Sequence, residues 1–319
     1  MHLIDKQLEA LNSIDVPLTR RPDFQIFWKE ALAKVKRVPL NIKMRRIETA
    51  FPGIEAFDLT FEGLDGTDVN AWFLLPVQAK EGKVPCVIRY HGSSGSRGVP
   101  ADHAAWLLTG SAVLAMDHRM QGGRTGSNTG FTGGPAYDEF IFGIEDKSKY
   151  YFYHAVTDAL RAVETVLQQD NIDHGRIAVE GGSQGGGASL IVSALHPSIS
   201  LCLADVPSFS YMEKRLFDKT GAANVIAELI KRHPEMLDTV CETLSYFDNI
   251  NHAENIKCPV LVSVGLKDNV CTPDTVFASY NRIRSPKRIS VYPFGEHGGG
   301  GAVHFEVKLS FLKEHFFSR

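Results

Sequence analysis

The sequence has no excess of charge of either sign and no long hydrophobic run. Its 319 residues include 34 lysines and arginines against 37 aspartates and glutamates, which gives a formal net charge of -3. Such a chain has no basic field to attract nucleic acid or an anionic lipid surface, so we expect neither partner. No run of about 18 apolar residues is present, and we therefore expect no membrane span.

Cysteine is also scarce. Cys86, Cys202, Cys241, Cys258 and Cys271 are odd in number, widely spaced and without a Cys-x-x-Cys pair. This pattern suits neither a disulfide framework nor a zinc site. The first ten residues mix charged and isolated apolar residues and do not resemble a signal peptide. We therefore predict a cytoplasmic protein with reduced thiols and no bound metal.

Short apolar runs alternate with segments of helical periodicity, which is typical of an α/β fold. Two runs, 55–61 and 68–75, flank a turn and predict an antiparallel pair at one edge of the sheet. Helical spacing in 151–169 and 303–316 predicts helices that cover the sheet. Compact runs with few charges predict the parallel strands at 85–90, 111–116, 176–179, 201–204, 260–264 and 288–292.

We predict a single domain over 1–319 with three additions to the sheet core. Residues 1–50 form an N-terminal extension that includes a helix beginning near Phe24. Residues 122–134 contain six glycines and predict a long irregular loop, either functional or a simple surface excursion. Residues 206–255 separate two strands and predict a helical cap over the sheet, or else an elaborate crossover.

The strongest local motif is Gly181-Gly182-Ser183-Gln184-Gly185, which follows a predicted strand and precedes a helical pattern. This is the context of a nucleophile elbow, a tight turn that exposes a serine above the sheet. Gly181 and Gly185 stand where a Cβ would collide with neighbouring backbone. The alternatives are a glycine-rich turn with an incidental serine, or a phosphate-binding loop without the rest of its pattern.

A serine hydroxyl needs an imidazole to take its proton and a carboxylate to orient that imidazole. Asp268 follows the apolar run 260–264, and His297 follows the next predicted strand. The chain order Ser183, Asp268, His297 is that of α/β-hydrolases. We therefore predict these three residues as a catalytic triad.

Each partner of the serine has a rival. His304 is a second histidine near the end of the chain, but it lies inside a helical pattern. Asp274 follows Pro273, where a helix N-terminus favours a carboxylate for local reasons. Asp205 follows the strand 201–204, the other sheet position from which a carboxylate could reach the imidazole.

Acyl transfer also requires two donors for the oxyanion of the tetrahedral intermediate. The first is the backbone amide of Gln184, directly after the serine. The second should come from the loop after an earlier central strand, which reads Tyr90-His91-Gly92-Ser93-Ser94-Gly95. We predict the amide of Ser93 as this donor, with an ordinary Gly/Ser turn as the alternative.

With these motifs in place, the sequence resembles the cephalosporin C deacetylase and acetyl xylan esterase family, carbohydrate esterase family 7. The resemblance covers nearly the whole chain and rests on Arg21-Pro22-Asp23-Phe24, Gly182-Ser183-Gln184-Gly185, Leu244-Ser245-Tyr246-Phe247-Asp248 and Ser310-Phe311-Leu312-Lys313. It implies an α/β-hydrolase core with serine esterase activity on small acetyl esters and no metal or organic cofactor. It also implies a protruding interface loop within 122–150 and assembly into a homo-oligomer, a compact hexamer.

The sequence departs from the family pattern at two sites, as in a divergent member. The family's Arg-Gly-Gln stands here as Arg119-Met120-Gln121, and its His-Glu stands as His297-Gly298, preceded by Glu296. In the family the Arg, Gln and Glu brace the region around the histidine. We therefore predict Arg119, Gln121 and Glu296 as supporting residues, with the hypothesis that Glu296 pairs with Arg119. Ser93 replaces a family tyrosine but keeps its amide.

The leading interpretation is a serine carboxylic-ester hydrolase that removes acetyl or other short acyl groups. Its substrates would be small acetyl esters such as acetylated sugars or cephalosporin C. One alternative is a prolyl-oligopeptidase-like serine peptidase, although only about 85 residues precede the first parallel strand, too few for a propeller. The other is a non-catalytic ligand-binding module on the same fold.

Overall fold

The fold is built on one large sheet, seen in a computed structural model that describes residues 3–131 and 138–318. The strands are β1 (Lys43–Ile47), β2 (Glu55–Glu62), β3 (Asp68–Leu75), β4 (Val84–Tyr90), β5 (Ala112–Met116), β6 (Ile172–Gly182), β7 (Leu201–Asp205), β8 (Val260–Gly265) and β9 (Lys287–Tyr292). Their order is β1-β2-β3-β5-β4-β6-β7-β8-β9. The first three strands pair antiparallel, as do β3 and β5, and every pair from β5 to β9 is parallel.

The predicted α/β fold with a mostly parallel sheet is confirmed, and each predicted strand is present within a few residues of its expected bounds. Strand β1 was not predicted. Its sequence, Lys-Met-Arg-Arg-Ile, is almost wholly exposed and has no apolar alternation. Such a charged strand lies at an edge of a sheet, where charge discourages pairing with another chain. The predicted antiparallel pair is therefore one strand in from the edge.

Helices cover both faces of the sheet. Those in the described ranges are α1 (Leu3–Asn12), α2 (Phe24–Arg37), α3 (Ala104–Leu108), α4 (Tyr151–Leu167), α5 (Gln184–Leu195), α6 (Met212–Arg215), α7 (Ala222–Arg232), α8 (Leu237–Ser245), α9 (Asn249–His252), α10 (Pro273–Tyr280) and α11 (Gly301–Phe316). None of them is long and apolar enough to cross a membrane. Helices α3 and α11 form a small core with one face, and most others join the large core on the opposite face.

The N-terminal extension is tied to the large core. Helix α2 buries Phe24, Trp28, Ala31 and Val35, and it packs on α4, which is buried on nearly all sides. The indole Nε1 of Trp28 donates a hydrogen bond to the backbone carbonyl of Tyr246, 3.0 Å away. A helix that is buried on nearly all sides, as α4 is, must be covered by other elements, because it has too few polar side chains to face water. Helix α2 is one of these elements.

The segment 206–255 has two parts. Helix α9 and the turn that follows it pack on α5, as a crossover between two strands does. Helices α6 and α7 instead contribute Arg215 and Val225 to the wall of a cavity at the carboxyl ends of the parallel strands. The segment therefore combines features of both interpretations, and its description as a cap remains a prediction.

The predicted loop at 122–150 is described on both sides of 132–137. Gly133 and Gly134 lie outside the described residues. Phe140 is buried, and Phe131 stacks on Phe142 with ring centroids 5.7 Å apart. These flanks pack against the large core, and a role of the loop in assembly remains a prediction.

We expect Trp28→Ala to lower the free energy of unfolding by about 3 to 5 kcal/mol, because it leaves a cavity where the indole packs against Phe247 and His252. Ile26, in the same helix, is 59% exposed, and Ile26→Ala should change stability by less than about 1 kcal/mol. Urea unfolding followed by circular dichroism measures both. Equal losses in the two variants would contradict the packing of α2.

Candidate active site

The elbow stands where the sequence predicts it. Strand β6 ends at Gly182, α5 begins at Gln184, and Ser183 between them has φ +56° and ψ -116°. This is a left-handed conformation that costs free energy for a residue with a side chain. A Cβ on Gly185 would lie 2.0 Å from the carbonyl oxygen of Tyr90, and one on Gly181 would lie 2.5 Å from the same atom. The turn therefore requires both glycines.

The three residues of the predicted triad meet at this turn. The Oγ of Ser183 is 3.0 Å from Nε2 of His297, and Nδ1 of His297 is 2.9 Å from Oδ2 of Asp268. The other carboxylate oxygen of Asp268 accepts hydrogen bonds from the amides of Val270 and Cys271, at 2.7 and 2.9 Å. Asp268 is thus fixed and buried, and it can orient the imidazole so that Nε2 accepts the serine proton.

The rival residues lie elsewhere. His304 is buried in α11, with Nε2 2.9 Å from Oδ1 of Asp205 and Nδ1 3.0 Å from the hydroxyl of Tyr292. Asp274 pairs with Lys214 at 3.1 Å. Among the described residues, the side chains of His304, Asp205 and Asp274 form no hydrogen bond with the side chain of Ser183 or of His297. Asp205 contacts the elbow through its backbone carbonyl, which accepts from the amide of Ser183 at 2.9 Å.

Two backbone amides near Ser183 bear on the oxyanion hypothesis. The loop after β4 approaches the elbow so closely that a Cβ on Gly92 would lie 3.8 Å from Cβ of Ser183. In the described part of the chain, the amides of Ser93 and Gln184 donate to no protein acceptor. Both are therefore available to a ligand, as the oxyanion hypothesis requires.

A histidine shapes this loop. Burial lowers the pKa of His91, which keeps the ring neutral. Its Nδ1–H then donates to the carbonyl of Gly92 at 2.7 Å, and its Nε2 accepts from the amide of His118 at 2.8 Å. The ring therefore joins the loop that carries Ser93 to the segment after β5.

The triad opens into a cavity of about 580 Å³. Its wall is formed by Gly92, Ser93, Ser94, Asp138, Glu139, Phe140, Ser183, Gln184, Ser208, Arg215, Gly221, Val225, Val270 and His297. This space accommodates a small molecule beside the serine. Among the described residues, no group of three or more His, Cys, Asp or Glu is arranged to hold a metal ion.

The family model of acetyl xylan esterase (AXE1) matches residues 1–315. The chain belongs to this family. It is therefore a carboxylic ester hydrolase with the α/β-hydrolase fold, which confirms the family and the activity predicted from the sequence. The match gives no support to the peptidase or to the non-catalytic module.

Solved structures of acetyl xylan esterases superpose on the whole chain. The enzyme from Paenibacillus sp. R4 is 32% identical, with 99% of this chain and 100% of that chain covered and a TM-score of 0.91. Acetyl xylan esterase 1 from Thermoanaerobacterium sp. JW/SL YS485 is 31% identical, with 100% and 99% covered and the same TM-score of 0.91. Acetyl esterase Axe7A of Xylanibacter ruminicola is 28% identical over 309 residues, 93% of this chain and 68% of that protein.

Gln121, from the altered acetyl xylan esterase motif, lies beside the oxyanion loop. Its Oε1 accepts from the amide of Ser94 at 3.0 Å, and its Nε2 donates to the hydroxyl of Tyr151 and to Oε1 of Gln184, at 2.9 and 3.0 Å. Gln121 therefore joins the loop after β4 to the beginnings of α4 and α5. It supports the two predicted oxyanion donors and does not contact the histidine.

The hypothesis of an Arg119–Glu296 pair is wrong. The fully buried guanidinium of Arg119 forms a bidentate pair with Asp158, at 2.8 and 2.9 Å, and also binds Asp65 at 2.9 Å. Glu296 is exposed at the junction between β9 and the histidine loop. Although burial opposes the charged form of Arg119, Asp158 and Asp65 raise its pKa above the usual range. With both carboxylates in place, Arg119 has no need of a third.

A second buried ion cluster supports β6 just before the elbow. Glu180 accepts from Arg89 at 2.7 Å and from Lys308 at 2.6 Å, and Lys308 also donates to Asp205 at 2.6 Å. Burial alone would raise the pKa of Glu180, but Arg89 and Lys308 lower it to about 2. Lys308 thereby joins β6 and β7 to α11, the helix that follows the His297 loop.

Four polar side chains of the cavity wall belong to no motif recognised in the sequence: Asp138, Glu139, Ser208 and Arg215. All four lie in the two segments, 122–150 and 206–255, whose position over the sheet the periodicity does not determine. Only knowledge of the family's substrate contacts could have identified these residues, because no motif in the sequence marks them.

We expect Asp158→Asn to destabilise the fold by about 3 to 5 kcal/mol, because it removes the main counter-ion of a buried guanidinium. Glu296→Gln should change the free energy of unfolding by less than about 0.5 kcal/mol, since the carboxylate is exposed. Denaturant titrations of the two variants make the comparison. A large loss in Glu296→Gln would restore the rejected pair.

Proposed function

We propose that Ser183, His297 and Asp268 hydrolyse small acetyl esters through an acyl-enzyme. The Oγ of Ser183 attacks the acyl carbon while Nε2 of His297 takes its proton. The amides of Ser93 and Gln184 stabilise the negative oxygen of the tetrahedral intermediate. His297 then gives the proton to the departing alcohol oxygen, and a water molecule, activated by the same histidine, releases acetate from the serine.

Asp268 acts through the histidine. It holds Nδ1–H of His297, so that Nε2 faces the serine in the form that accepts a proton. It also stabilises the imidazolium that forms during each proton transfer, without being protonated itself. The observation that carries the proposal is the unbroken sequence of contacts from Ser183 through His297 to Asp268, at the wall of a cavity.

We propose acetylated sugars as the substrates of this site. Three relatives that are 28% to 32% identical and match 93% to 100% of the chain have acetyl esterase or acetyl xylan esterase in their names, which supports an acetyl group on the acyl side. The acetyl ester of cephalosporin C is the second substrate that the sequence resemblance implies. Release of acetate from acetylated xylo-oligosaccharides and from cephalosporin C, measured side by side, distinguishes the two.

We expect Ser183→Ala to lower turnover of p-nitrophenyl acetate by about 10⁴- to 10⁶-fold, because it removes the nucleophile and leaves only binding and the oxyanion donors. His297→Ala should approach that loss, whereas Asp274→Asn should leave turnover within about twofold, since only members of the acting unit share its loss. Steady-state kinetics with circular dichroism as a folding control measures all three. Full activity of the Ser183→Ala variant would disprove the serine mechanism.

We also propose that the chain forms a homo-oligomer, a hexamer by the sequence resemblance. The surface supports self-association, because Phe51, Val77 and Leu108 expose apolar side chains around a groove of about 350 Å³ and Leu108 is 86% exposed. Exposed apolar patches of this kind mark interaction surfaces. A second copy of the chain is the occupant we propose for this groove.

Light scattering after size exclusion should give a native mass that is a multiple of the 35.2 kDa chain. Leu108→Glu should shift that mass toward a smaller species, because a charge would be buried in the interface. Val303→Glu, at an apolar residue that is 70% exposed outside the groove, is the matched control. A monomeric parent chain would refute the proposal.

The state of the thiols supports a cytoplasmic location. All five cysteines are described and free, and Cys86, Cys202, Cys258 and Cys271 are buried. Burial raises the pKa of the Cys258 thiol to about 11, which suppresses thiolate formation. These inert thiols support the proposal that the protein works in the reducing cytoplasm.

A further inference from the structure

Arg215 is a buried cation on the wall of the active-site cavity, and it has no carboxylate partner. It is 2% exposed, and no ion pair to it is formed within residues 3–131 and 138–318. We infer that Arg215 binds a carboxylate of the substrate, so that among acetylated sugars and other small esters this enzyme prefers those that carry a negative charge. The inference rests on the proposed function, since it names the substrate class of the same site.

The contacts of Arg215 place its guanidinium near the triad. Its Nη1 donates to Oγ of Ser208 at 3.2 Å, and the amide of Ser208 donates to the carbonyl of Ser183 at 2.9 Å. Its Nη2 donates to the carbonyl of Val270, whose own amide donates to Asp268 at 2.7 Å. Ser208 therefore links Arg215 to Ser183, and Val270 links it to Asp268.

The protein satisfies this side chain only in part. Every hydrogen-bond partner of Arg215 is neutral: a hydroxyl, a backbone carbonyl and the thiol of Cys271, 3.6 Å away. Its Nε is buried and has no hydrogen-bond partner among the described residues. A buried charge without a counter-ion is unfavourable, so a ligand that supplies the negative charge gains the interaction that the protein leaves unmade.

The neighbouring cation shows the difference. Lys214 precedes Arg215 in α6, and its ammonium pairs with Asp218 at 2.8 Å and with Asp274 at 3.1 Å. The same helix thus places one cation among carboxylates outside the cavity and the other at the cavity wall without one. A general excess of positive charge in α6 therefore does not explain why Arg215 has no carboxylate partner among the described residues.

The other charged groups of the cavity orient the ligand. Asp138 and Glu139 also line the wall, and Glu139 accepts a hydrogen bond from Oγ of Ser93 at 3.1 Å. Glu139 thus lies by the oxyanion loop, where its carboxylate repels a negatively charged group of the substrate. The carboxylate of the substrate is therefore directed to the side of the cavity formed by Arg215 and Val270, away from Ser93.

A purely structural role for Arg215 makes a different prediction. As a clamp on the 268–271 loop, it would support the triad for every substrate, and its loss would lower all rates by one factor. As a binding residue, it changes the ratio of rates between charged and neutral esters. The test therefore compares, in one protein preparation, the kcat/KM of a charged ester with that of its neutral counterpart.

The probes are meta-acetoxybenzoate and its neutral isostere, meta-acetoxybenzamide, with the charge on the alcohol half. A second pair, p-nitrophenyl hemisuccinate and p-nitrophenyl butyrate, places the charge on the acyl half. In one of the two pairs we expect kcat/KM to favour the charged ester by about tenfold in the parent enzyme. The pair that responds identifies the half of the ester that faces Arg215.

The variant Arg215→Gln keeps hydrogen-bond donors toward Ser208 and Val270 but removes the charge, and it should bring the ratio to about one. Arg215→Lys keeps the charge and should retain a preference for the charged ester. Lys214→Met removes the same charge from the same helix and is the matched control, with the parent's ratio. An unchanged ratio in Arg215→Gln, or no preference in either pair for the parent enzyme, overturns the inference.

Binding to the Ser183→Ala variant separates this inference from the proposed function. Meta-acetoxybenzoate should raise its melting temperature more than meta-acetoxybenzamide does, and the added Arg215→Gln change should abolish that difference. If neutral esters are hydrolysed but neither ratio nor melting shift depends on Arg215, only the inference fails. If the parent enzyme hydrolyses no ester while the melting shift persists, the proposed function fails and the binding role stands.

Discussion

The close approach of α5 to the end of β4 is the constraint on which the site depends. The Cα of Gly185 passes so near the carbonyl of Tyr90 that no side chain fits there. This contact leaves Ser183 in a left-handed conformation, with its Oγ above the carboxyl ends of the parallel strands. The same turn leaves the amide of Gln184 without an acceptor among the described residues, as the proposed oxyanion role requires. Backbone packing therefore positions both Ser183 and this amide, before any side chain is considered.

Buried ion pairs hold the strands and the loop segment next to this turn. Lys308 joins Glu180 and Asp205, the carboxylates at the ends of β6 and β7, and so holds the two strands that flank the elbow. Arg119, bound to Asp158, anchors the segment after β5 that carries Gln121. Gln121 in turn accepts a hydrogen bond from the loop after β4. In each cluster the charges are paired, as burial requires.

Among the described residues, two buried guanidiniums, those of Arg161 and Arg215, have no carboxylate partner, and Arg161 is satisfied by backbone carbonyls. Arg215 differs because its Nε has no hydrogen-bond partner there and it lies at the cavity wall, and unsatisfied polar groups of this kind are expected at functional sites. The segment that carries it begins with strained backbone: Val206, Phe209 and Tyr211 all have positive φ. Asp248 holds its helix by accepting from the amides of Tyr211 and Met212. Under the proposed role of Arg215, substrate choice is set by the segment between β7 and β8, whereas the three residues of the triad follow β6, β8 and β9.

The sequence by itself determined eight of the nine described strands, the elbow and the three side chains that meet there. Strand periodicity and glycine requirements are local, and the order Ser183, Asp268, His297 follows from the topology of a parallel sheet. The exposed edge strand β1 has no such periodicity. Only the tertiary structure decided which carboxylates partner Arg119, that Glu296 faces solvent, and that Arg215 reaches the cavity. Such pairings join segments far apart in the chain, and many arrangements satisfy the same local pattern. Distances of a few ångströms select one of them, and they exist only once the helices have packed.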